Sequence, residues 1–475
     1  MPKRNFIWLV IVLATAVVSV LVARIPQGPG STHNPDFDPV AATYDLIRRN
    51  YYRPLDETAV RSASVRGMVE ALDEFSSFVP AEQMDTFDHR VMGHQRGTGL
   101  RLRRRGDELI TRWPVFGSPA HHAKITPGMV LLGIDQTDAN EMTLELARHA
   151  LRGPLGEDVL VTLRDAEGRT HFITLRRAEF ELETVQGLHR ISGARWETSL
   201  DPNSRLAYLR VTEFVRGTSE QLRTELWKLN APAGLVLDLR GNPGGLLEEA
   251  VRTANFFLRD GAIVSISERR GPDRVHKARS HETWLDAPVV VLADASTASA
   301  AEIVVASLGY HARAIVLGER TRGKGCIQTM FPLPGGLGQI NLTTGEFRVG
   351  DGLAISPAAP DEPGGYAPHV AISIDDAQLA KLAEVRNRAG ALGPPPKKTT
   401  TQPTTQPEPA GERAAGRAAL LEADPQLAEA AAILRDPDRL QAELAAVADR
   451  AEAAARMLAE QQADPDAVRQ PAGEP

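Results

Sequence analysis

The stretch that decides the fold is APVVVLADASTASAAEIVVASLGYHARAIVLGERTRGKGCIQ, residues 287–328. Its apolar runs at 289–292 and 314–317 are short and rich in β-branched residues, which predicts two buried strands. The Ala- and Val-rich segment 298–308 between them predicts a helix packed on the same sheet. Strands that alternate with helices are typical of an α/β core with a mostly parallel sheet and crossover helices.

Two residues in this stretch carry chemistry. Ser299 stands at the predicted start of the helix, where outward-pointing N–H groups and the helix dipole favour negative charge. A glycine-rich turn follows the second strand and places Lys324 between two glycines. A lysine acts as a base when its surroundings favour the neutral amine, and burial does so. The pair therefore predicts a serine nucleophile with a lysine base.

Two segments, STASAAEI at 296–303 and GERTRGKGCIQ at 318–328, carry a family resemblance. They resemble the catalytic signature of the carboxyl-terminal processing (tail-specific) serine proteases, and the spacing of serine and lysine also matches. The resemblance implies that Ser299 is the nucleophile, that Lys324 is the general base and that Gln328 supports the lysine. It also implies an endopeptidase that needs no metal or cofactor.

A second motif, DLRGNPGGL at 238–246, lies between a predicted buried strand and a predicted helix. A glycine turn in that position presents backbone N–H groups toward an anion. The motif matches one in the same protease family, and the resemblance implies that the N–H groups of Gly244 and Ala300 form the oxyanion hole. Asp238 and Arg240 are expected to hold the turn in place.

Residues 97–178 resemble a PDZ domain of the processing-protease type. Gly97, Thr98, Gly99 and Leu100 open the module, and a helix is predicted at 144–151. The resemblance implies that backbone N–H groups of these four residues bind the terminal carboxylate of a polypeptide substrate. The following strand and the helix would hold the extended peptide by β-augmentation.

The N-terminus predicts a membrane anchor. Lys3 and Arg4 precede an uncharged apolar run at 6–23, which is long enough to cross a bilayer as a helix. The positive flank predicts a single-pass protein of the cytoplasmic membrane whose remaining chain faces away from the cytoplasm, in the periplasm. A cleaved signal peptide is the alternative interpretation.

The predicted fold class is an α/β catalytic core with a PDZ domain, an N-terminal helical segment and an N-terminal transmembrane helix. The Ala-rich tail is expected either to fold back on the catalytic domain or to associate with a second copy in a homo-oligomer. The predicted regions are a transmembrane anchor or signal segment at 1–26, a spacer at 27–39, the helical segment at 40–90, the PDZ domain at 91–180, the Ser–Lys protease domain at 181–380, a Pro/Thr-rich linker at 390–411 and the helical tail at 412–465.

The amino-acid composition and the remaining motifs narrow the possible functions. The formal net charge is -7, which gives no electrostatic reason to expect nucleic acid as a partner. The single cysteine, Cys326, excludes an intrachain disulfide. The turn at 318–325 resembles a phosphate-binding loop, but Gly325 stands where that loop needs Ser or Thr. Two other functions remain open: a non-catalytic PDZ scaffold, and a Ser–His hydrolase that uses His311 or His369.

Overall fold

The computed structural model describes residues 37–84, 91–192, 195–201, 203–269, 271–283, 286–359, 361–389 and 410–463. They fall into two units, one ending at Val65 and the other beginning at Arg66. The predicted anchor at 1–26 and most of the predicted linker at 390–411 lie outside the described residues. Within the described ranges, no helix combines the length and the apolar character that a membrane span requires.

The described chain begins with two helices and a strand. The first helix has an acidic residue and Pro39 in its opening turn and arginines in its last turn, as the helix dipole favours. Helices therefore form where the sequence predicts them. The bounds are α1 (Asp38–Asn50), α2 (Glu57–Glu70) and β1 (Ser77–Pro80).

The next region is a small antiparallel sheet covered by a helix. Its elements are β2 (His94–Gly97), β3 (Leu102–Arg105), β4 (Glu108–Thr111), α3 (Pro119–His122), β5 (Val130–Ile134), β6 (Thr137–Asp138), α4 (Leu144–Arg152), β7 (Asp158–Arg164), β8 (Thr170–Arg176) and β9 (Ala178–Glu181). The main sheet has the order β3-β4-β5-β7-β8, and β2 pairs with β9. The hydroxyl of Thr143 caps α4 by accepting the Leu146 N–H. Sheet and helix enclose one apolar core, which defines a PDZ-like module.

The predicted protease domain, which we call the catalytic region, contains the remaining strands. Its elements are β10 (Val185–Gln186), β11 (His189–Ser192), β12 (Arg195–Glu197), β13 (Ser199–Asp201), β14 (Leu206–Val211), α5 (Thr218–Lys228), β15 (Gly234–Asp238), α6 (Leu247–Asn255), β16 (Ala262–Glu268), β17 (Arg274–Lys277), β18 (Val289–Ala293), α7 (Ala300–Tyr310), β19 (Ala314–Gly318), β20 (Cys326–Pro332), β21 (Gly338–Val349), β22 (Leu353–Ala354) and β23 (Val370–Ala371). Strands β14, β15, β18, β19 and β23 are parallel neighbours in that order. Strands β10 and β13 pair antiparallel with β14, so this sheet is mixed.

The prediction of one mostly parallel sheet is wrong for part of this region. Strands β16, β17, β20, β21 and β22 belong with β1 to a second sheet, in which every pairing is antiparallel. The reason is the length of the connections. Only residues 333–337 separate β20 from β21, and a parallel pair needs a crossover of a dozen or more residues. These strands therefore form hairpins.

The tail folds back on the mixed sheet. Its helices are α8 (Asp376–Ala389), α9 (Ala410–Ala423), α10 (Pro425–Arg435) and α11 (Pro437–Ala463). Asp424 caps α10 and Pro425 begins it, a favourable start for a helix. Leu427 and Ile433 of α10 are fully buried in the apolar cluster on one face of the sheet, whereas α5, α6 and α7 cover the other face. Along β15 and β18, successive side chains alternate between the apolar clusters on the two faces of the sheet.

Candidate active site

Ser299 lies at the mouth of α7, in the turn that follows β18. Its backbone has φ 54° and ψ -121°, a conformation that residues with a Cβ rarely adopt. Strain of this kind is concentrated at functional sites. The turn after β15 approaches closely, since a Cβ added to Gly244 would lie 2.8 Å from the Ser299 Cβ. The structure therefore brings the predicted nucleophile and the DLRGNPGGL turn together.

One buried carboxylate joins the serine to the lysine turn. Oε2 of Glu302 accepts the backbone N–H groups of Ser299 and Lys324, each at 2.8 Å. Oε1 accepts the hydroxyl of Thr321 and the N–H of Gly323, each at 2.7 Å. Burial raises the pKa of the Glu302 carboxyl, and these four hydrogen bonds act in the opposite direction. Glu302 thus fixes the backbone of both residues of the predicted dyad.

Glu302 is a functional residue that the motifs did not indicate, although the sequence contains a local signal for it. Ser-x-x-Glu at the start of a helix is the pattern of a capping box, in which the glutamate bonds to the backbone N–H of the capping residue. The hydrogen bond from the Ser299 N–H to Glu302 is this part of the capping box. The additional bonds to the lysine turn depend on β19 returning beside α7, which the local pattern does not encode.

The side chain of Lys324 is half-buried, and its Nζ lies 5.0 Å from the centroid of the Phe75 ring. A cation over an aromatic face is stabilised by the ring quadrupole. Phe75 belongs to the segment just before β1, which pairs with β21 in the antiparallel sheet. The N-terminal segment therefore supplies a contact to the predicted base that the sequence analysis did not anticipate.

Gln328 lies on β20, close to the lysine turn, but its amide is engaged elsewhere. Nε2 donates to Sγ of Cys326 at 3.1 Å and to Oγ1 of Thr343 at 3.4 Å. Burial raises the pKa of the Cys326 thiol, so that the thiol stays protonated at neutral pH. In this structure the predicted support residue binds to its neighbours on the sheet.

The two predicted oxyanion donors lie side by side. A Cβ added to Gly244 would lie 2.9 Å from the backbone nitrogen of Ala300. Ala300 is the first residue of α7, and its N–H therefore has no acceptor within the helix. The N–H of Gly244 donates instead to Oδ1 of Asn242 at 2.9 Å. A reorientation of Asn242 or Gly244 would be needed before both N–H groups could face one oxygen.

Ser299 opens into a cleft of about 710 Å³ between α6, α7 and the β20–β21 hairpin. Leu246, Ile303, Ile327 and Phe347 give it an apolar lining next to the serine. A cleft with apolar walls and a few polar groups is the usual form of a binding site for an organic ligand or a side chain.

A buried network of ion pairs connects the DLRGNPGGL turn to the tail. The guanidinium of Arg240 donates to both oxygens of Asp238 and to both oxygens of Asp424, at 2.7–2.9 Å. Arg386 adds a contact to Asp238 at 2.7 Å. Burial alone would raise the pKa of Asp238, but the charges of Arg240 and Arg386 hold it well below its ordinary value. Asp238 and Arg240 thus anchor the turn to the tail as well as to the sheet.

In the PDZ-like module, the loop of Gly97, Thr98, Gly99 and Leu100 lies against the C-terminal end of α4. The N–H of Thr98 donates to the carbonyl of Leu151 at 3.2 Å, and the N–H of Leu100 donates to the Thr98 hydroxyl at 3.3 Å. Gly99 has φ 69°, and a Cβ there would lie 2.1 Å from the Ser118 Cβ, so only glycine fits. Two of the predicted peptide-binding N–H groups are therefore satisfied internally.

The two histidines considered as alternative bases have structural partners. Nε2 of His311 lies 2.7 Å from the carbonyl oxygen of Ala262, and Nδ1 of His369 accepts the N–H of Val316 at 2.9 Å. Burial lowers the pKa of His369 to about 4. Among the described residues, those that line the Ser299 cleft include no histidine.

The fold and this site define a serine-type peptidase. Residues 205–368 match the profile of peptidase family S41. The chain is 31% identical over 311 residues to a carboxyl-terminal-processing protease of Synechocystis sp., covering 64% of this chain and 70% of the relative. It is 29% identical over 362 residues to the carboxy-terminal processing protease CtpA of Bacillus subtilis, covering 74% and 75%.

A similar solved structure is that of the photosystem II D1 C-terminal processing protease. The sequence identity is 26% and the TM-score 0.41, with 71% of this chain and 86% of the other covered. On the sequence relationships, the chain belongs to the carboxyl-terminal processing proteases of peptidase family S41, which confirms the resemblance noted in the sequence.

Proposed function

We propose that this protein is an endopeptidase in which Ser299 is the nucleophile and Lys324 the general base. The neutral amine takes the proton of the Ser299 hydroxyl while Oγ bonds to the peptide carbonyl carbon. The amine then gives that proton to the departing nitrogen, which leaves an ester on Ser299. The same amine then deprotonates a water molecule, which bonds to the ester carbon; the bond from this carbon to Oγ breaks, and the ammonium returns the proton to Oγ of Ser299.

Support comes above all from Glu302, whose one carboxylate bonds to the backbone N–H groups of both Ser299 and Lys324. A serine and a lysine that lie far apart in the sequence are held by a single buried group, and the serine has a strained backbone at a helix mouth. The shared carboxylate holds the backbones of the two residues in adjacent turns, which supports their assignment as nucleophile and base.

The arrangement described above corresponds to a resting form of the proposed enzyme. In the active form, the Lys324 amine leaves the Phe75 ring and turns toward Ser299, with Gln328 as its supporting partner. The N–H of Gly244 leaves Asn242 and joins that of Ala300 to stabilise the oxyanion. Donors placed at a developing negative charge are typically worth about 3–4 kcal/mol each to the rate.

Substrates on this proposal are polypeptides with free C-termini, bound by residues 97–100 in the PDZ-like module. The internal bonds of Thr98 and Leu100 would be exchanged for bonds to the terminal carboxylate. We further propose that the apolar run at 6–23 anchors the chain in the cytoplasmic membrane, with the catalytic region on the periplasmic side, because Lys3 and Arg4 flank it. Self-association of the tail is also a proposal.

The test is cleavage of an unfolded protein with an apolar C-terminus. Ser299→Ala should abolish cleavage, and Lys324→Ala should lower kcat by a factor of about 10²–10⁴, the usual contribution of a general base. Lys277→Ala, which changes an exposed lysine on β17, is the matched control and should cleave normally. Full turnover by either dyad variant would refute the mechanism. Loss of activity in the control would point to misfolding.

A further inference from the structure

A second cleft lies between the PDZ-like module, the catalytic region and the tail. It has a volume of about 370 Å³, and four arginines from these three parts reach it: Arg101, Arg190, Arg210 and Arg386. We call it the arginine cleft. Two glutamates, Glu183 and Glu213, also line it. The lining therefore carries more positive than negative charge.

Arg210 contributes to this excess of positive charge. Among the described residues, Arg190 pairs with Glu183, and Arg386 pairs with Asp238. Arg210 forms no ion pair with a described residue, and its one hydrogen bond goes from Nη2 to the carbonyl of Arg240 at 3.4 Å. Burial lowers the pKa of Arg210, and the charge of Arg386 adds to this effect. Asp238 on the neighbouring strand attracts the Arg210 cation, but burial and the charge of Arg386 outweigh this attraction. An added anion would therefore stabilise the group.

Two donors on the arginines that line the cleft have no acceptor in the described structure. The Nε atoms of Arg210 and Arg386 are both buried and make no hydrogen bond with any described residue. Buried donors are satisfied in the great majority of native proteins. Guanidinium groups pair best with carboxylate or phosphate oxygens, which accept two parallel N–H bonds.

From the unpaired charge, the unsatisfied donors and the open volume, we propose that the arginine cleft binds a small oxyanion, a carboxylate or a phosphate group, through Arg210 and Arg386. Arg210 lies on β14 directly beside Asp238 of β15. The anion would therefore lie next to the ion network that holds the DLRGNPGGL turn. This site is distinct from the loop at 97–100 and does not depend on the proposed proteolysis.

Binding is measurable because Trp113 and Trp196 line the cleft. Inorganic phosphate is titrated into the full-length Ser299→Ala chain at constant ionic strength, with tryptophan fluorescence and Tm as readouts. We expect a saturable fluorescence change and a Tm rise of about 5 °C at ~100-fold excess over Kd. Arg210→Gln should weaken binding at least tenfold. Arg103→Gln, which changes an exposed arginine on β3, should leave it unchanged.

Two further measurements exclude a purely structural effect. Without phosphate, Arg210→Gln should unfold at the same or a higher denaturant concentration, because burial and the charge of Arg386 outweigh the attraction of Asp238 for the Arg210 cation. Arg210→Lys keeps the positive charge but loses the planar guanidinium that can donate two parallel N–H bonds, and should bind phosphate more weakly than the parent chain. An unsaturable response, or an equal response in Arg210→Gln, would overturn the proposal.

The source of the oxyanion is distinguished by competition. A peptide with a free C-terminus and the same peptide amidated are added to the phosphate complex. Displacement by the free form alone identifies a polypeptide carboxylate as the ligand. If neither form displaces phosphate, the site takes a free oxyanion.

Discussion

The contact between Asp424 of the tail and Arg240 of the DLRGNPGGL turn leads to a quantitative prediction. Asp424 accepts two hydrogen bonds from Arg240 and one from Arg386, and it also caps α10 through the Leu427 N–H. Asp424→Asn removes the charge and keeps a good capping group, since Asn and Asp are equally favoured at that position. The substitution therefore isolates the ion network from the helix cap.

The magnitude follows from burial. Asp424 and Asp238 are fully buried, and Arg240 is 3% exposed. Removing one partner of a buried ion pair typically costs about 3–5 kcal/mol, because the remaining charge is left uncompensated. Domains are stable by only about 5–15 kcal/mol, so this is a large fraction. In a protein of this size we expect Tm to fall by about 5–10 °C.

The assay is urea unfolding of the Ser299→Ala chain with and without Asp424→Asn, followed by fluorescence. The matched control is Asp449→Asn, an exposed position on α11, which should change the free energy of unfolding by less than about 0.5 kcal/mol. A loss below about 1 kcal/mol for Asp424→Asn would contradict the reasoning. So would an equal loss in the control.

The same network predicts a pH dependence. The pKa of Asp238 is lower in the folded than in the unfolded protein, because Arg240 and Arg386 outweigh the effect of burial. The stabilisation by Asp238 is therefore complete above the unfolded value of about 3.9 and decreases as the pH falls below it. Unfolding free energies measured between pH 6 and pH 3 should decline mainly at the acidic end of this range. A maximum near pH 3 would contradict this assignment.

Two further predictions concern the dyad. Glu302→Gln should lower kcat at least 100-fold, because the amide nitrogen replaces one of the two oxygens and cannot accept a backbone N–H that is bound there. Glu346→Gln, which changes an exposed residue on β21, is the control. Near-normal kcat in Glu302→Gln would contradict the positioning role. Phe75→Leu should raise kcat/KM about two- to fivefold, the equivalent of losing a cation–π contact of about 0.5–1 kcal/mol that the Lys324 amine must leave in the proposed active form. A decrease in kcat/KM with an unchanged Tm would mean that Phe75 assists the active form instead.

Local pattern was sufficient for the elements that surround Ser299. The apolar runs of β18 and β19 and the helix between them are predictable because strand and helix periodicities are properties of short segments. The Asp-Pro start of α10 is predictable for the same reason. The family motifs in the sequence also indicated which residues to examine as nucleophile, base and oxyanion donors.

The sequence by itself determined which segments form the helices and strands of the mixed sheet, and it predicted that Ser299 and Lys324 act together. Tertiary structure decided the rest: the second, antiparallel sheet, the bonds of Glu302 to two distant turns, Phe75 under the lysine, and the tail carboxylate on Arg240. The physical reason is the difference in the sequence distance over which these effects act. Propensity and periodicity act over a few residues, whereas a buried carboxylate or ammonium takes its partners from whichever segments the packed sheets bring beside it.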